Sequence, residues 1–327
     1  MGRPVIKSID PTPETCRSEN NCDVTVIILT YNESLHLARA IESVKNFARE
    51  IIVVDSFSAD NTVSVARAGG ARILQNKFVN QARQFQWALD NGGVSTEWVL
   101  RLDADEIIEP DLAAEISGRL PSISSDVAGI SFKRKHIFMH RWVKYGGRYP
   151  LVLLRLWRVG QGRVEDRWMD EHVVVWGGKT ITLEGGFSDY NLNDIGFFTD
   201  KHNKYATREA IDVIVKKYRL SDREVLPPSA SMPTQAHFKR MFKERIYNKM
   251  PLWFGPLAYF LYRVFILRGI FDGPSGMIYH TLQGFWYRYL VNAKIFEYES
   301  NMQDCKTNEE RLERLSLLTK QSISSLR

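Results

Sequence analysis

Short apolar runs alternate with amphipathic segments along the first third of the chain. The apolar runs cover residues 24–30, 51–55, 71–74 and 98–102. Runs of this length predict strands buried on both faces of a parallel sheet, and apolar residues recurring every three or four positions between them predict helices. The repeated order of strand and helix predicts an α/β fold with a mostly parallel sheet, helices on both faces and right-handed crossovers.

The alternation weakens after residue 105. The pattern predicts helices over residues 110–120 and 204–218, separated by strands over 127–132, 151–159 and 172–176, and Pro227-Pro228 predicts a hinge. The predicted domains are a flexible tail (1–22), a catalytic domain (23–225) with a nucleotide half (23–106) and an acceptor half (107–225), a helical membrane-interface region (234–300) and a polar C-terminal tail (301–327).

Composition narrows the class of protein. The chain has 327 residues, is 44% hydrophobic and carries a net charge of +6, which indicates a folded protein suited to an anionic partner. Its three cysteines form no Cys-x-x-Cys pair, so neither a zinc site nor a disulfide framework is indicated, and a reducing compartment is expected. The first residues lack the apolar core of a secretory signal.

A basic and aromatic region occupies residues 237–299. Its first part, up to Arg268, contains one acid, Glu244, and is rich in Lys, Arg, Phe and Tyr. Arg263 interrupts the longest apolar stretch, and a central arginine is costly in a membrane span. The pattern therefore predicts amphipathic helices on an anionic membrane surface. The alternative is a helical hairpin packed on the protein itself, and nucleic acid is not an expected partner because no binding module is recognisable.

Polar residues follow three of the predicted strands. Thr30-Tyr31-Asn32-Glu33 ends the first, Asp55 ends the second, and Asp103-Ala104-Asp105-Glu106 ends the fourth. The carboxyl ends of parallel strands form one edge of the sheet, where open α/β folds bind ligands. Paired aspartates there suit a divalent cation that serves a phosphate, although a lone Asp-x-Asp also fits a solvated strand end. The first strand lacks the glycine-rich loops of nicotinamide and P-loop enzymes.

Together these three ordered motifs resemble the family 2 inverting glycosyltransferases of the GT-A fold, over about residues 23–178. The later segments Gly146–Pro150, Leu154–Arg158 and Asp170-Glu171-His172 resemble the subgroup that builds bacterial lipopolysaccharide core and related glycans. The resemblance implies a GT-A catalytic domain, a nucleotide-sugar donor and Mn²⁺ or Mg²⁺ as cofactor.

The resemblance also implies roles for individual residues. Asp105, with Asp103, would hold the metal. The residues that would bind the nucleotide-sugar are Thr30, Tyr31 and Glu33 beside the nucleobase, Asp55 at the base or ribose, Asp103 at the ribose, and Arg83 at the phosphates or base. For Arg83 a solvated helix face is the alternative.

The acceptor hydroxyl must lose its proton as it attacks the sugar, so the resemblance implies a catalytic base. Glu171 is the expected catalytic base and Asp170 the reserve, because family members of this type carry an acid in a short His-Glu or Asp-Glu motif after the acceptor segment. The order here is Asp-Glu-His. His172 would approach the metal or diphosphate, while Arg155 and the Lys133–His136 cluster would meet an anionic acceptor or else form a solvated basic face.

The sequence thus predicts a metal-dependent enzyme that transfers a sugar, with inversion, from a UDP-sugar to a lipid-linked or lipopolysaccharide-type acceptor. It is expected at the cytoplasmic face of the bacterial inner membrane, as a peripheral or monotopic protein. Two alternatives remain: a non-catalytic glycan-assembly protein of the same fold, and a sugar nucleotidyltransferase, which would release pyrophosphate.

Overall fold

The computed structural model describes residues 22–165, 172–220 and 253–320. The chain divides into two compact units. The first unit comprises Met1–Lys144 and Arg148–Leu192, and the second comprises Tyr145–Gly147 and Asn193–Arg327. The two predicted carboxylates Asp170 and Glu171 lie outside the described residues, as do the predicted N-terminal tail up to residue 21, the hinge, and residues 237–252 of the basic region.

The first unit begins with the predicted parallel sheet. Its strands lie in the order β3-β2-β1-β4 and all run parallel; they are β1 (Cys22–Thr30), β2 (Ala48–Asp55), β3 (Arg72–Gln75) and β4 (Trp98–Asp103). The connecting helices are α1 (Leu37–Val44), α2 (Thr62–Ala68) and α3 (Gln81–Asn91). All seven predicted elements are present. Strand β2 begins at Ala48, three residues earlier than predicted.

Side chains of β1 and β2 alternate between two buried clusters on opposite faces of the sheet. Val26 and Ile28 pack with Leu37 of α1 on one face, whereas Ile27 packs with Phe85 of α3 on the other. Each of these side chains is almost fully buried. The prediction of strands buried on both faces, with helices covering each, is therefore confirmed for this half of the sheet.

The sheet continues with a mixed half. Its elements are β5 (Glu106–Ile108), α4 (Pro110–Arg119), β6 (Val127–Phe138), β7 (Arg141–Val143), β8 (Leu151–Arg158), β9 (Gly162–Val164), β10 (Val173–Val175) and β11 (Lys179–Tyr190). The order continues β4-β8-β6-β11-β5, in which only β6 and β11 run parallel; β7 pairs with β6, and β9 with β10. The prediction of a mostly parallel sheet is wrong here, because connections without a crossover helix return the chain antiparallel.

This half of the sheet is strongly curled. Strand β5 follows β4 after only Ala104 and Asp105, yet it pairs with β11, three places from β4 in the strand order. The sheet must therefore bend round until β5 returns close to the end of β4. The Asp-Ala-Asp segment lies at this junction.

The second unit is helical. Its helices are α5 (Ile195–Tyr218), α6 (Phe254–Leu261), α7 (Gly273–Tyr279), α8 (Tyr287–Asn301) and α9 (Asn308–Thr319), with π-helical segments at Tyr262–Ile266 and His280–Trp286 and a 3₁₀ turn at Gly269–Asp272. Ile211 and Ile214 of α5 share a buried cluster with Tyr298 of α8, Met302, and Leu315 of α9.

Two features of the second unit differ from the predicted domain map. Helix α5 was assigned to the acceptor half of the catalytic domain, but its apolar stripe is buried against α8. Helix α9 lies in the segment predicted as a polar tail, where Leu315 is fully buried. Within the described ranges no single helix is long and apolar enough to cross a membrane; Phe254–Ile266 and Gly269–Asn301 qualify only as a pair, with a 73° bend between them.

Candidate active site

The three sequence motifs lie side by side at one edge of the parallel sheet. In the strand register Thr30 pairs with Asp55, and Leu29 pairs with Asp103. Neighbouring strands are about 4.8 Å apart. The ends of β2, β1 and β4 therefore form a continuous row of polar groups, which is the convergence expected from the sequence.

Asp55 is fully buried at the centre of hydrogen bonds that join three strand ends. Its carboxylate accepts from the Thr30 hydroxyl at 3.2 Å, from Gln75 Nε2 at 3.1 Å, and from the Ser58 backbone N–H and hydroxyl at 2.9 and 2.5 Å. Four charge-assisted hydrogen bonds fix the carboxylate and the loop that follows it. In this conformation Asp55 positions the strand ends and the loop.

The loops after β1 and β2 are bonded directly to each other. The Asn32 N–H donates to Ser58 Oγ at 2.8 Å, and Asn32 Oδ1 accepts from the Ala59 N–H at 2.9 Å. The Ser34 N–H donates to Asp60 Oδ2 at 3.1 Å. These bonds link the predicted nucleobase segment to the loop after β2, so the two loops form one preorganised rim.

Asp60 also organises the start of α2. The helix begins at Thr62, whose backbone N–H and hydroxyl both donate to Asp60 Oδ1. Although desolvation opposes ionisation, the hydrogen bonds from Thr62 and Ser34 lower the pKa of Asp60 to about 2. The carboxylate is therefore ionised at any physiological pH, and it stabilises both loops.

Two exposed aromatic rings stand on this rim. Tyr31 is 61% exposed and Phe57 is 58% exposed. Phe57 has φ of 62°, a left-handed conformation that bulky residues rarely adopt and that is often found at functional sites. Exposed rings can stack on a nucleobase. Sequence reasoning identified Tyr31 but missed Phe57, which belongs to none of the recognised motifs.

Glu33 contacts a buried histidine. Its Oε2 lies 2.7 Å from Nδ1 of His36, and Nε2 of His36 accepts from the Leu192 N–H at 2.9 Å. His36 is almost completely buried. Glu33, predicted to border the nucleobase, thus also connects the β1 loop to the segment that follows β11.

Asp103 belongs to a cluster of charged side chains inside the curled sheet. Arg155 Nη2 is 2.5 Å from Glu106 Oε1 and 3.5 Å from Asp103 Oδ2, and Arg101 Nε is 3.5 Å from Asp103 Oδ1. The Asp103 N–H donates to Glu106 Oε2 at 3.0 Å. Arg155, Arg101 and Glu106 are buried, whereas the Asp103 side chain is 33% exposed. Asp103 is thus the member of this cluster that a ligand can reach.

The charges in this cluster shift the pKa values of its two acids in opposite directions. Burial raises the pKa of Glu106, against the opposing effect of Arg155. Burial also tends to raise the pKa of Asp103, but Arg155 and Arg101 together lower it below its ordinary value. Asp103 is therefore held as an anion and is the acid of this pair that solvent reaches.

Asp105 lies where the end of β11 meets the Asp-Ala-Asp segment. Its Oδ2 accepts from Asn191 Nδ2 at 3.0 Å, and its backbone carbonyl accepts from the Tyr190 N–H at 2.9 Å. Arg39 Nη2 donates to the Tyr190 carbonyl at 2.9 Å. Sequence reasoning missed β11 and with it Asn191. The alternation of Thr180, Ile181, Thr182 and Leu183 was an available strand signal, broken by Gly185-Gly186.

Asp189 of β11 is a further acid that sequence reasoning missed. In the strand register it pairs with Glu106 of β5 and with His136 of β6. Its Oδ2 is 3.1 Å from His136 Nδ1 and 3.5 Å from Arg134 Nη1. Burial opposes ionisation, but His136 and Arg134 hold the pKa of Asp189 well below its usual range. A carboxylate stabilised as an anion in this way is a weak proton acceptor.

The basic residues predicted for the acceptor are largely engaged by acids. Arg155 is buried against Glu106, which contradicts a solvated basic face, and its role toward an acceptor stays a prediction. In the Lys133–His136 cluster, Lys133 pairs with Glu184 and Lys135 lies 3.7 Å from Glu109. The cause is that β6 and β8 are interior strands of the curled sheet, so their basic side chains meet Glu106 of β5, Glu184 of β11 and Glu109, which follows β5.

Two other predicted residues lie on exposed positions. Arg83 is exposed on α3, where its backbone N–H donates to Asn80 Oδ1 at 2.8 Å. His172 is exposed just before β10, and its carbonyl accepts from the Glu165 N–H at 2.9 Å. Their roles toward a ligand stay predictions, as do those of Asp170 and Glu171.

The residues at the β4–β5 junction fit a divalent cation that is shared with a phosphate. The residues that the structure describes contain no group of three or more His, Cys, Asp or Glu side chains able to hold a metal alone. Mg²⁺ in nucleotide sites needs only one or two protein carboxylates, because phosphates and water supply the other ligands. Asp103, the last residue of β4, and Asp105, two residues later, supply two carboxylates of this kind.

Comparison with known sequences identifies the fold family. Residues 25–182 match the sequence model of Glycosyl transferase family 2. The chain therefore carries a family 2 glycosyltransferase domain. This result confirms the family predicted from the three motifs, and the curled mixed sheet of the domain is GT-A-like.

Several relatives share more than the glycosyltransferase domain. An uncharacterized glycosyltransferase of Rickettsia conorii is 29% identical over 209 residues, which cover 61% of this chain and 73% of the relative. The lipopolysaccharide core biosynthesis glycosyltransferase LpsC of Rhizobium meliloti is 28% identical over 285 residues, covering 84% of this chain and 92% of LpsC.

Solved structures resemble a smaller part of the chain. One is glucosyl-3-phosphoglycerate synthase from Mycobacterium tuberculosis in complex with Mn²⁺, UDP and glucosyl-3-phosphoglycerate. It is 22% identical, with a TM-score of 0.29, and the match covers 35% of this chain and 43% of that one.

Proposed function

We propose that this protein transfers a sugar, with inversion, from a UDP-sugar to a lipid-linked or lipopolysaccharide-type glycan. The observation that carries the proposal is the register that places Thr30, Asp55 and Asp103 on adjacent strand ends. Together with Asp105 they form one polar row at the edge of the sheet where α/β folds bind nucleotides. The match to Glycosyl transferase family 2 supports the reaction class.

The donor would bind along this row. In the proposal the uracil stacks on the exposed rings of Tyr31 and Phe57, and the rim held by Asp55 carries the ribose. Asp103, the last residue of β4, would bind the ribose or the metal. Asp105, with Asp103, would hold Mn²⁺ or Mg²⁺, which when bound neutralises charge on the leaving diphosphate.

The residues of the chain must also activate the acceptor. A carboxylate within hydrogen-bond reach of the acceptor hydroxyl removes its proton while the hydroxyl attacks the anomeric carbon from the face opposite the diphosphate. Asp103 and Asp189 are poorly suited, because neighbouring cations lower the pKa of both. Following the resemblance, we propose Glu171 as this base, with Asp170 as the reserve.

The proposed acceptor class rests on the relatives. LpsC, which this chain matches over 92% of its length, is named for lipopolysaccharide core biosynthesis. We accordingly propose a lipopolysaccharide-type or other lipid-linked glycan as acceptor, and the cytoplasmic face of the inner membrane as the place of reaction.

The test is release of nucleoside diphosphate by purified protein. A panel of UDP-sugars is incubated with Mn²⁺ and with lipopolysaccharide or lipid-linked glycan extracts, and UDP release and the product's anomeric configuration are measured. The proposal predicts acceptor-dependent UDP release with inversion. In a parallel incubation with UTP and sugar 1-phosphates, release of pyrophosphate would instead identify a nucleotidyltransferase. UDP binding without turnover on any acceptor would identify a non-catalytic glycan-assembly protein.

A further inference from the structure

The second unit exposes a dense group of large apolar side chains over eleven residues of sequence. We call this group the apolar turn surface; its members are Leu261, Tyr262, Phe265, Ile266, Ile270 and Phe271, all exposed. Ile266 is 69% exposed and Phe271 is 70% exposed. Scattered exposed apolar residues are ordinary, but a contiguous group marks an interaction surface.

The backbone brings these side chains together. Leu261 and Phe265 are four residues apart, as are Tyr262 and Ile266, which is about one turn of the π-helical segment Tyr262–Ile266, so the two pairs lie side by side on one face. Arg268 then turns the chain with φ of 61°, and the 3₁₀ turn Gly269–Asp272 carries Ile270 and Phe271. The surface is therefore the outer side of a helix end and the turn after it.

The inner side of the same segment is fully packed. Arg263 is 1% exposed; its Nε donates to the Gly146 carbonyl at 3.1 Å, and its Nη2 lies 3.0 Å from His280 Nδ1. Asp272 Oδ2 lies 2.8 Å from His280 Nε2. These contacts fix which side of the segment faces inward. The exposure of the apolar side chains therefore results from a defined conformation.

The charge of the surface selects the class of partner. Between Trp253 and Phe296 the sequence contains one acid, Asp272, which is buried and also accepts from the Tyr145 N–H at 3.0 Å. Arg268 is the exposed charge within the surface. Protein interfaces usually have a polar rim of mixed charges. Aromatic and aliphatic side chains beside a cation, without an acid, match the interface of a membrane that contains anionic lipid.

We propose that the apolar turn surface inserts into the interfacial layer of an anionic membrane. Phe265, Ile266, Ile270 and Phe271 enter the boundary between headgroups and acyl chains, and Arg268 contacts lipid phosphate. The unit lies on the membrane at this place, because the charged Arg263 and Asp272 directly beneath the surface are costly in hydrocarbon. This proposal goes beyond the glycosyl-transfer proposal and does not depend on it.

The experiment is vesicle flotation with the full chain. One set of vesicles contains phosphatidylcholine alone, and the other contains equal parts of phosphatidylcholine and phosphatidylglycerol. The wild type should float with the anionic vesicles. The double variant Phe265→Ser/Phe271→Ser should lose at least about tenfold in partition coefficient, since two large apolar side chains are removed. Arg268→Gln should lose about fivefold, and only on anionic vesicles.

Leu317→Ser is the matched control, because Leu317 is also 70% exposed but lies on α9 outside the surface. It should float like the wild type. All replaced side chains are exposed, so circular dichroism and the melting temperature should not change. A wild type that binds neither vesicle, or a double variant that floats normally, would overturn the proposal. A wild-type dimer that the double variant converts to a monomer, without vesicle binding, would instead assign the surface to a second copy.

The two proposals fail separately. If the membrane proposal is wrong, UDP release with detergent-solubilised acceptor still tests glycosyl transfer. If the glycosyl-transfer proposal is wrong, flotation of the wild type and loss of flotation in the double variant remain as predicted.

Discussion

Each unit of this protein buries an arginine among other charged or titratable side chains. The two clusters differ in solvent exposure: the closed cluster, around Arg263, is buried, whereas the open cluster, around Arg155, has one acid that solvent reaches. In the second unit, Arg263 and His280 are at most 1% exposed, and Asp272 uses its oxygens on His280 and on the Tyr145 N–H. In the first unit, Arg155 and Glu106 are buried, but Asp103 is 33% exposed and its two arginine contacts are 3.5 Å long.

The difference separates a structural cluster from a candidate site. A buried ion pair is weak evidence for function, because satisfied pairs also occur purely in the fold. The cluster of the second unit has its polar groups satisfied by neighbours of the same unit. In the first unit, Asp103 contacts its arginines at the outer limit of hydrogen bonding and remains open to a ligand beside Asp105.

The largest effect is expected at the open cluster. Asp105→Asn should lower UDP release at least about a thousandfold, or about 4 kcal/mol, because an amide is a poor ligand for Mn²⁺ or Mg²⁺. The free energy of unfolding should change little, since Asn can still bond to Asn191. Asp126→Asn is the control, because Asp126 is an exposed acid whose ion pair with Lys179 lies at the surface. Full activity of Asp105→Asn would remove this residue from the site.

The closed cluster should respond in stability. Arg263→Met leaves Asp272 and His280 buried without their cation, so the free energy of unfolding should fall by about 3 kcal/mol in urea denaturation. Arg263→Met/Asp272→Asn should recover part of that loss, because the uncompensated carboxylate is gone. Should Arg263→Met leave the unfolding curve unchanged, the cluster would not be holding the fold.

A third comparison concerns the rim of the candidate site. Phe57→Gly removes a ring proposed to stack on the base and should weaken UDP binding about tenfold in calorimetry. Glycine adopts positive φ without strain, so stability should stay equal or rise by up to about 1 kcal/mol. Tyr31→Ala, which removes a ring without relieving strain, is the matched variant. UDP affinity that is unaffected in both would place the base elsewhere.

The smallest effect is expected at Arg83. This residue is exposed on α3, so Arg83→Ala should change the dissociation constant of UDP by at most about threefold, the range of an exposed charge. Arg67→Ala, on α2, is the control for loss of a surface arginine. A loss of UDP affinity of about a hundredfold or more would instead support the phosphate-binding role that the resemblance implies for Arg83.

Sequence reasoning succeeded where structure is local. Each strand and helix up to Asp103 has its own apolar pattern, and parallel strands joined by crossover helices must bring their carboxyl ends to one edge. The convergence of Thr30, Asp55 and Asp103 follows from that rule alone.

Sequence reasoning failed where a strand or helix packs against a partner that lies far away along the chain. Strand β11 lies between β6 and β5, which precede it by about fifty and eighty residues, and no local pattern encodes those partners. Asp189 and Asn191 were therefore missed, and Arg155 was assigned to a surface when it is buried. Helix α5 was predicted to belong to the catalytic domain for the same reason. It belongs to the second unit, because it packs on α8, which follows much later in the chain.

The most direct measurement of the central claim is calorimetric titration with UDP and with uridine, each in Mn²⁺ and in EDTA. If Asp105 and Asp103 hold a cation for the diphosphate, chelation should weaken UDP binding about a hundredfold, or by about 3 kcal/mol, and leave uridine binding unchanged. Asp105→Asn in Mn²⁺ should bind UDP as weakly as the wild type binds it in EDTA. Equal UDP affinity in Mn²⁺ and EDTA would contradict a metal site at the β4–β5 junction.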